Sequence, residues 1–156
     1  MRNTLFNRIA IPYVILILIL LLGINFYISS FVKNAYFDSW RQILETDARV
    51  LADQAEVYLS PEMDKGKIQL IAQDNAKLMD VRITFIDPNG IVIGDSELNP
   101  NELENHRIHP EFVSAMSGLL GTDVRFSQSM GIKMLYVAVP IVNENKVLAV
   151  SRTSVT

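Results

Sequence analysis

The sequence predicts an α+β protein in which a transmembrane helix continues into a long helix, followed by a five-stranded antiparallel sheet with helices on one face. Residues 9–32 form 24 consecutive positions without a charged side chain. Apolar pairs then recur every seven residues up to residue 59, which indicates a long helix with a packing seam. Short alternating or β-branched segments separated by turn residues follow, and these predict the sheet.

The apolar run of residues 9–32 is long enough to cross the membrane bilayer. As a helix it spans about 36 Å, against a hydrocarbon core of about 30 Å. A cleavable signal peptide is the alternative, but its apolar stretch is about 7–15 residues long and ends at a small-residue cleavage site. Arg2 and Arg8 precede the run, and no acidic residue does. The positive-inside tendency therefore predicts a single crossing of the cell membrane, with residues 1–8 cytoplasmic and residues 33–156 extracytoplasmic.

The extracytoplasmic part has an acidic balance. It holds every Lys and Arg except Arg2 and Arg8, and all 17 Asp and Glu residues. The acidic residues are scattered, so no polybasic nucleic-acid surface is expected. The chain has no cysteine, so neither a disulfide nor a thiolate nucleophile contributes to it. A domain of about 120 residues can form a core without disulfides.

Residues 33–59 are predicted to form the long helix because they contain no Gly or Pro and many good helix formers. A seven-residue apolar repeat keeps one seam of a helix facing a partner. The repeat does not choose between a homodimer seam and packing on the protein's own sheet, and we expect both. The candidate dimer-seam residues are Tyr36, Trp40, Ile43, Leu44, Val50 and Leu51.

Ser60 and Pro61 are predicted to end this helix, and Ser60 or Asp64 to start the next one. The second helix is expected over residues 67–79, where apolar residues have helical spacing. It opens the sheet domain, which is predicted over residues 66–153.

A β-hairpin is the clearest local signal in the chain. Residues 81–86 alternate in polarity and are rich in β-branched side chains. The sequence Asp87-Pro88-Asn89-Gly90 suits a turn, since Pro favours its second position and Asn-Gly accepts positive φ. Residues 91–95 complete the hairpin.

The remaining elements are a variable insert and a three-strand meander. Residues 99–110 are predicted as loop with a short helical turn, and Pro110 then opens a short helix that ends before Gly118. Turns at Gly131 and at residues 143–145 separate the last strands. These strands are predicted over residues 123–129, 133–140 and 146–153.

The order of these elements resembles the extracytoplasmic PAS-like (Cache) sensor domains of bacterial transmembrane receptors. The closer similarity is to the phosphate-regulon sensor histidine kinases of the PhoR type, over about residues 5–152. The similar segments are Arg82 to Gly90, Gly94-Asp95-Ser96, Glu104 to Arg107, Pro110-Glu111-Phe112, Arg125-Phe126-Ser127 and Met134 to Pro140.

The resemblance implies the sensory region of a two-component sensor histidine kinase, a homodimer that detects phosphate limitation or the cell-envelope state. A second transmembrane helix, a HAMP-type linker and a kinase core are then expected after Thr156. His106 and His109 lie in the exported half, where there is no ATP, so we expect no phosphoacceptor, no enzyme activity and no cofactor in this chain. Alternatives are the sensor region of a chemoreceptor or of a cyclic-dinucleotide enzyme, or a complete membrane-tethered binding protein.

Several side chains are candidates for holding a small anion such as phosphate or a carboxylate, because arginine presents a planar fork of donors. In PAS-like sensors the ligand lies between the sheet and the helical insert, which contains Arg107. The alternative is that Arg107 pairs with Asp95 or Glu104 and pins the loop to the hairpin. A second alternative is that the domain recognises a partner envelope protein instead of a small ligand. The candidate ligand-binding residues are Arg82, His106, Arg107, Arg125 and Tyr136.

Two further chemistries are not expected. Four potential metal ligands fall close together: Glu102, Glu104, His106 and His109. Histidines ahead of Pro110 more often cap the following helix or bond to the backbone, and the resemblance implies that they anchor the loop, so no metal is predicted. A hydrolase triad of Ser96, His106 and Asp95 lacks the Gly-x-Ser-x-Gly nucleophile elbow.

Overall fold

The computed structural model describes residues 2–60 and 62–156. The part of the helix-ending prediction that concerns Pro61 lies outside the described residues. The chain order is α1 (Arg2–Glu56), α2 (Lys65–Met79), β1 (Arg82–Ile86), β2 (Val92–Asp95), a 3₁₀ turn (Pro100–Glu102), α3 (Pro110–Met116), β3 (Gly121–Ser127), β4 (Ile132–Asn143) and β5 (Lys146–Val155).

The chain divides into two compact units, Met1–Ser39 and Trp40–Thr156. Within the described part of the first unit the chain is helical, and its apolar side chains are exposed; Leu22 is 70% and Phe26 77% exposed. Of the helices in the described residues, α1 alone is long and apolar enough to cross a membrane. Exposed apolar side chains all round are typical of a helix surrounded by lipid and not of one in a protein core.

The second unit is built on a five-stranded antiparallel sheet with the strand order β2-β1-β5-β4-β3. This architecture confirms the predicted α+β class. The predicted helix over residues 33–59 ends at Glu56, and residues 57–59 form a turn. The strands agree with the prediction to within three residues at each end.

One face of the sheet is covered by α2 and by the part of α1 in this unit. Leu44 and Leu51 of α1 and Ile68 of α2 are fully buried against Ile83 and Val137. The predicted packing of the long helix on the protein's own sheet is therefore confirmed. Helix α2 begins where the sequence indicates, since the Asp64 carboxylate accepts a hydrogen bond of 3.0 Å from the Lys67 backbone N–H.

The short helix α3 lies on the opposite face of the sheet. Its residues Phe112 and Ala115 are buried with Ile86, Ala138 and Val150, a separate apolar cluster. Side chains along a strand alternate between faces, so these strand residues point away from α1 and α2. The sequence predicted helices on one face; α1 and α2 lie on one face as predicted, whereas α3 forms a second layer on the other face.

Candidate functional site

Polar residues occupy the α3 face of the sheet where β1, β5 and β4 lie side by side. Arg82 pairs with Ser154 and Thr84 with Arg152, while Tyr136 pairs with Ser154, so the five side chains share one face. Each of them is at most 5% exposed. Buried polar groups in a sheet need partners, and their partners define the site.

Arg152, Glu111 and Arg125 form the central contact, here called the arginine–glutamate cluster. The Oε1 atom of Glu111 accepts a hydrogen bond of 3.2 Å from Nη1 of Arg152 and one of 3.1 Å from Nη2 of Arg125. Nη2 of Arg152 also donates to the Thr84 hydroxyl at 3.3 Å. One carboxylate oxygen of α3 is therefore shared by guanidinium groups of β5 and β3.

Tyr136 gives the cluster an aromatic surface. The guanidinium carbons of Arg125 and Arg152 lie 4.3 Å and 4.9 Å from the centre of its ring. Arginine stacked in this way keeps its charge while its donors point sideways. Two of the predicted ligand-binding residues, Arg125 and Tyr136, thus lie together under α3.

Arg82, also predicted to bind a ligand, is already paired with the Asp95 carboxylate. Its Nε donates to both Asp95 oxygens, at 3.2 and 3.1 Å, and its Nη2 lies 3.0 Å from Oδ2. The Thr84 hydroxyl donates to the same carboxylate at 2.8 Å. The prediction that Arg107 pairs with Asp95 is therefore wrong, because Arg82 fills that carboxylate. Through Thr84 this pair joins the arginine–glutamate cluster in one hydrogen-bonded chain.

His106 and His109 lie at the edge of the cluster, with their Nδ1 atoms 3.0 Å apart. Nδ1 of His109 also faces Nη2 of Arg125. A guanidinium only donates hydrogen bonds, so this network assigns Nδ1 of His109 as an acceptor and Nδ1 of His106 as the protonated atom. Nε2 of His106 is consequently an acceptor, and it is buried without a hydrogen-bond partner. His109 stands at the N-cap position of α3 but makes no side-chain capping bond, so the predicted capping role is wrong.

The electrostatic potential here is positive. Burial, followed by the charge of Arg152, lowers the pKa of His106 to about 2. Burial and Arg125 likewise lower the pKa of His109. Burial alone would raise the pKa of Glu111, but Arg152 and Arg125 outweigh it and hold that pKa below its usual value. The site therefore favours an anion over a cation.

The same field bears on metal binding. Ligand atoms of Glu104, His106 and His109 lie within 4.8 Å of one another, a spacing compatible with a metal ion. Arg125 and Arg152, whose charges add to the effect of burial in lowering the pKa of both imidazoles, also repel a divalent cation. The other acid considered, Glu102, is exposed and bonds to Asn99. We therefore assign no metal to this group.

Arg107 is exposed. Its backbone N–H donates to the Asn105 side chain at 2.9 Å, and Asn105 in turn donates to the carbonyl of Asn89 at 3.0 Å. The His106 N–H donates to the carbonyl of Gly90 at 2.8 Å. The predicted anchoring of the insert to the hairpin turn is real, but backbone atoms and Asn105 provide it instead of the Arg107 charge.

The hydrolase residues are not assembled. Oγ of Ser96 accepts a hydrogen bond of 3.0 Å from the Ile83 N–H, and Asp95 is bound by Arg82. His106 contacts His109 instead of either residue. Ser96 and Asp95 are thus both held by hydrogen bonds at the end of the hairpin.

The dimer-seam prediction is wrong for Leu44 and Leu51, which are fully buried in the core of their own domain. Trp40 is partly buried against the same core. Ile43 and Val50 are 46% and 43% exposed, seven residues apart on the uncovered side of the helix. Tyr36, at 65% exposed, belongs to the first unit.

Sequence reasoning missed Glu111 and Arg152, the two most buried members of the cluster. The signal for Arg152 was a charged residue in the middle of a strand whose neighbours are otherwise small or apolar. Glu111 gives no such signal, because a Glu in the first turn of a helix is common and is favoured there by the helix dipole.

Solved structures share this fold. The DctB histidine kinase sensor domain of V. cholerae matches with a TM-score of 0.62 and 16% identity, over 77% of this chain and 48% of that one. The sensory domain of the Campylobacter jejuni chemoreceptor Tlp3, with isoleucine bound, matches with a TM-score of 0.62 and 10% identity, over 76% and 53%. The E. coli DcuS sensor domain matches with a TM-score of 0.54 and 22% identity, over 74% and 90%.

These structural matches show the fold, and they confirm the PAS-like architecture predicted from the sequence. The chain spans about half the length of the V. cholerae and C. jejuni domains that it matches. No family model and no curated protein matches the sequence.

Proposed function

We propose that this chain is the sensory input region of a membrane-bound receptor, which detects a small anion outside the cytoplasm and passes the signal through the membrane. The observation that carries the proposal is the buried cluster beneath α3. Nε of Arg152 and Oγ of Ser154 lie there without hydrogen-bond partners, and Nε of Arg125 has only the Asp123 carboxylate, 3.5 Å away. Buried donors in this number are uncommon in a purely structural network.

The ligand class follows from the donors. Guanidinium and hydroxyl groups in a positive field recognise carboxylate or phosphate oxygens. His106 Nε2 and Glu111 Oε2 add two buried acceptors without partners, which suit an ammonium or hydroxyl group of the same molecule. The isoleucine bound by the Tlp3 domain is a molecule of this kind. Small carboxylates, amino acids and inorganic phosphate are therefore the compounds to test.

For the parent protein we propose a two-component sensor histidine kinase. The sequence segments that resemble the phosphate-regulon type favour phosphate limitation or the envelope state as its stimulus, and the V. cholerae domain, which is that of a histidine kinase, supports a kinase in general. A chemoreceptor is the second candidate, since the Tlp3 domain matches with the same TM-score of 0.62 as the DctB domain.

The ligand is tested by thermal unfolding of the full chain in detergent micelles with millimolar phosphate, dicarboxylates and amino acids. We expect at least one class to raise the melting temperature, and Arg125→Ala to abolish the shift. Arg125 is 22% exposed, so the variant should fold. Arg107→Ala removes the same charge from an exposed site and is the matched control. If no compound stabilises the chain, or both variants lose the shift equally, the site proposal fails.

We also propose that residues 1–8 are cytoplasmic and that the sheet domain is extracytoplasmic. The chain has no cysteine, so single introduced cysteines report topology without background. Gln128→Cys, in the exposed turn after β3, should react with a membrane-impermeant maleimide in intact cells. Asn3→Cys should react only after lysis, and the reverse pattern would contradict the orientation.

A further inference from the structure

We infer that Glu111 is a built-in carboxylate that occupies the position of the ligand's carboxylate between Arg125 and Arg152, so that a ligand binds by displacing it. The inference rests on the proposed sensory function and names how the site is regulated. Glu111 then acts as an internal competitor, and its release from the two arginines is the first step of the response.

The bonding of Glu111 is incomplete for a carboxylate held by two arginines. Only its Oε1 atom accepts hydrogen bonds, one from each guanidinium, while Oε2 has no hydrogen-bond partner. A carboxylate in a preferred arginine contact uses both oxygens against a two-donor fork. The tether through α3 holds Glu111 short of that geometry, and a free carboxylate has no such restriction.

The arginines are also incompletely used. Nε of Arg152 and Nε of Arg125 are buried without hydrogen-bond partners, although the second lies 3.5 Å from the Asp123 carboxylate. Each guanidinium therefore retains a donor edge that Glu111 does not reach. Ser154 Oγ, also without a partner, adds a donor on β5. An entering carboxylate gains contacts that the internal one lacks.

The position of Glu111 makes exchange feasible. It is the second residue of α3, a helix of seven residues, and the preceding loop carries the exposed residues Arg107 and Ile108. Rotation of the Glu111 side chain frees its carboxylate from the arginines, while Phe112 and Ala115 hold the helix on the sheet. The two buried arginine charges are not left alone, because one carboxylate replaces another.

Chemical rescue tests the inference. In the full chain in detergent, Glu111→Ala removes a fragment equivalent to acetate. We expect acetate to raise the melting temperature of Glu111→Ala saturably, with an apparent affinity at least about tenfold above that of the wild type, a difference of about 1.4 kcal/mol. Acetamide, which is neutral and of the same shape, should have no effect. Glu104→Ala removes a nearby carboxylate at the rim and is the matched control.

Equal responses of Glu111→Ala and Glu104→Ala to acetate, or rescue by acetamide, would overturn the inference. If Glu111→Ala does not fold, Glu111→Gln keeps the shape and removes the charge. We expect it to bind acetate at least about tenfold more tightly than the wild type, and unchanged or weaker binding would show that Glu111 is no competitor.

The two proposals fail separately. If the wild type responds to no phosphate, dicarboxylate or amino acid but acetate rescues Glu111→Ala, the carboxylate position stands and the sensory proposal falls. If the wild type binds a ligand and acetate rescues neither Glu111 variant, the sensory proposal stands and the role of Glu111 falls.

Discussion

His106 is a buried imidazole that stays neutral where an ordinary histidine titrates. Burial, aided by Arg152, lowers its pKa from 6.5 to about 2. In the unfolded chain the same ring takes up a proton below pH 6.5. The unfolded state therefore binds more protons between pH 6.5 and pH 2, and stability must rise with pH across that range. Acidification below pH 6.5 removes stability.

We predict that the wild type loses about 2 kcal/mol of unfolding free energy between pH 7 and pH 5 through His106. Trp40 is the single tryptophan and contacts the core, so its fluorescence can follow urea unfolding at each pH. His106→Asn, whose amide can replace the Nδ1–H donor, should lose about 2 kcal/mol less over this range. An equally steep pH dependence in the variant would contradict the role of His106.

Among the elements, the β1–β2 turn and the insert behave as one piece. Asp87 organises the turn by accepting hydrogen bonds of 2.9 Å and 2.8 Å from the N–H groups of Asn89 and Ile91. Gly90 has a φ of +83°, and a Cβ there would lie 2.5 Å from the Asn105 side chain and from the Arg107 nitrogen. The loop that carries His106 is thus held directly against a glycine.

We predict that Gly90→Ala destabilises the domain by about 1–3 kcal/mol more than Gly131→Ala. Both glycines have positive φ, but nothing lies within 4 Å of a Cβ at Gly131, so this control isolates the contact with the insert. Hydrogen exchange should show faster exchange of the His106 amide in Gly90→Ala only. Equal destabilisation by the two substitutions would mean that the turn alone, and not the clamp, requires glycine.

Elements specified by local chemistry could be predicted from the sequence. The Asp64 cap, the Asp87–Gly90 turn and the Pro110 and Gly118 boundaries of α3 depend on residues within one turn of each other. The face of the sheet on which α3 lies depends instead on how the whole helix packs against the sheet. Its first turn packs so closely on Gly121 that a Cβ there would overlap the Glu111 backbone, and no local pattern reports such a contact.

The residues of the site likewise divide into those that the sequence predicts and those that it does not. Arg125 and Tyr136 were found because their residue types suit anion binding and their strands are neighbours. Arg152 and Glu111 are 41 residues apart, and their meeting depends on strand register and on the α3 layer together. Arg107 was misjudged because its charge suggested a contact that backbone groups of the same loop make.

At the scale of the whole molecule, we propose a homodimer through the uncovered side of α1. Ile43 and Val50 lie seven residues apart on this side and are 46% and 43% exposed, and Val57, 69% exposed, follows seven residues later in the turn after the helix. Exposed apolar side chains in a heptad pattern favour a partner helix. The inward-facing residues of the same repeat already pack against the sheet.

We predict that Val50→Cys yields a disulfide-linked dimer in membranes under mild oxidation. Adding Ile43→Glu should remove most of that product, because a buried carboxylate without a partner is strongly unfavourable. Gln42→Glu adds the same charge one position away, about 100° around the helix, and should leave the yield unchanged. Unchanged cross-linking with Ile43→Glu would exclude this face as the interface.

The alternation of strand β5 brings the two faces of the sheet within one residue of each other. Arg152 points into the site, while the next residue, Thr153, points to the other face and donates a hydrogen bond of 2.8 Å to the Leu44 carbonyl of α1. The arginine–glutamate cluster and this contact with the long helix are thus separated by a single peptide unit in the middle of the sheet. Under the proposed sensory function, a displacement of Arg152 has only this one peptide unit to cross before it reaches the long helix.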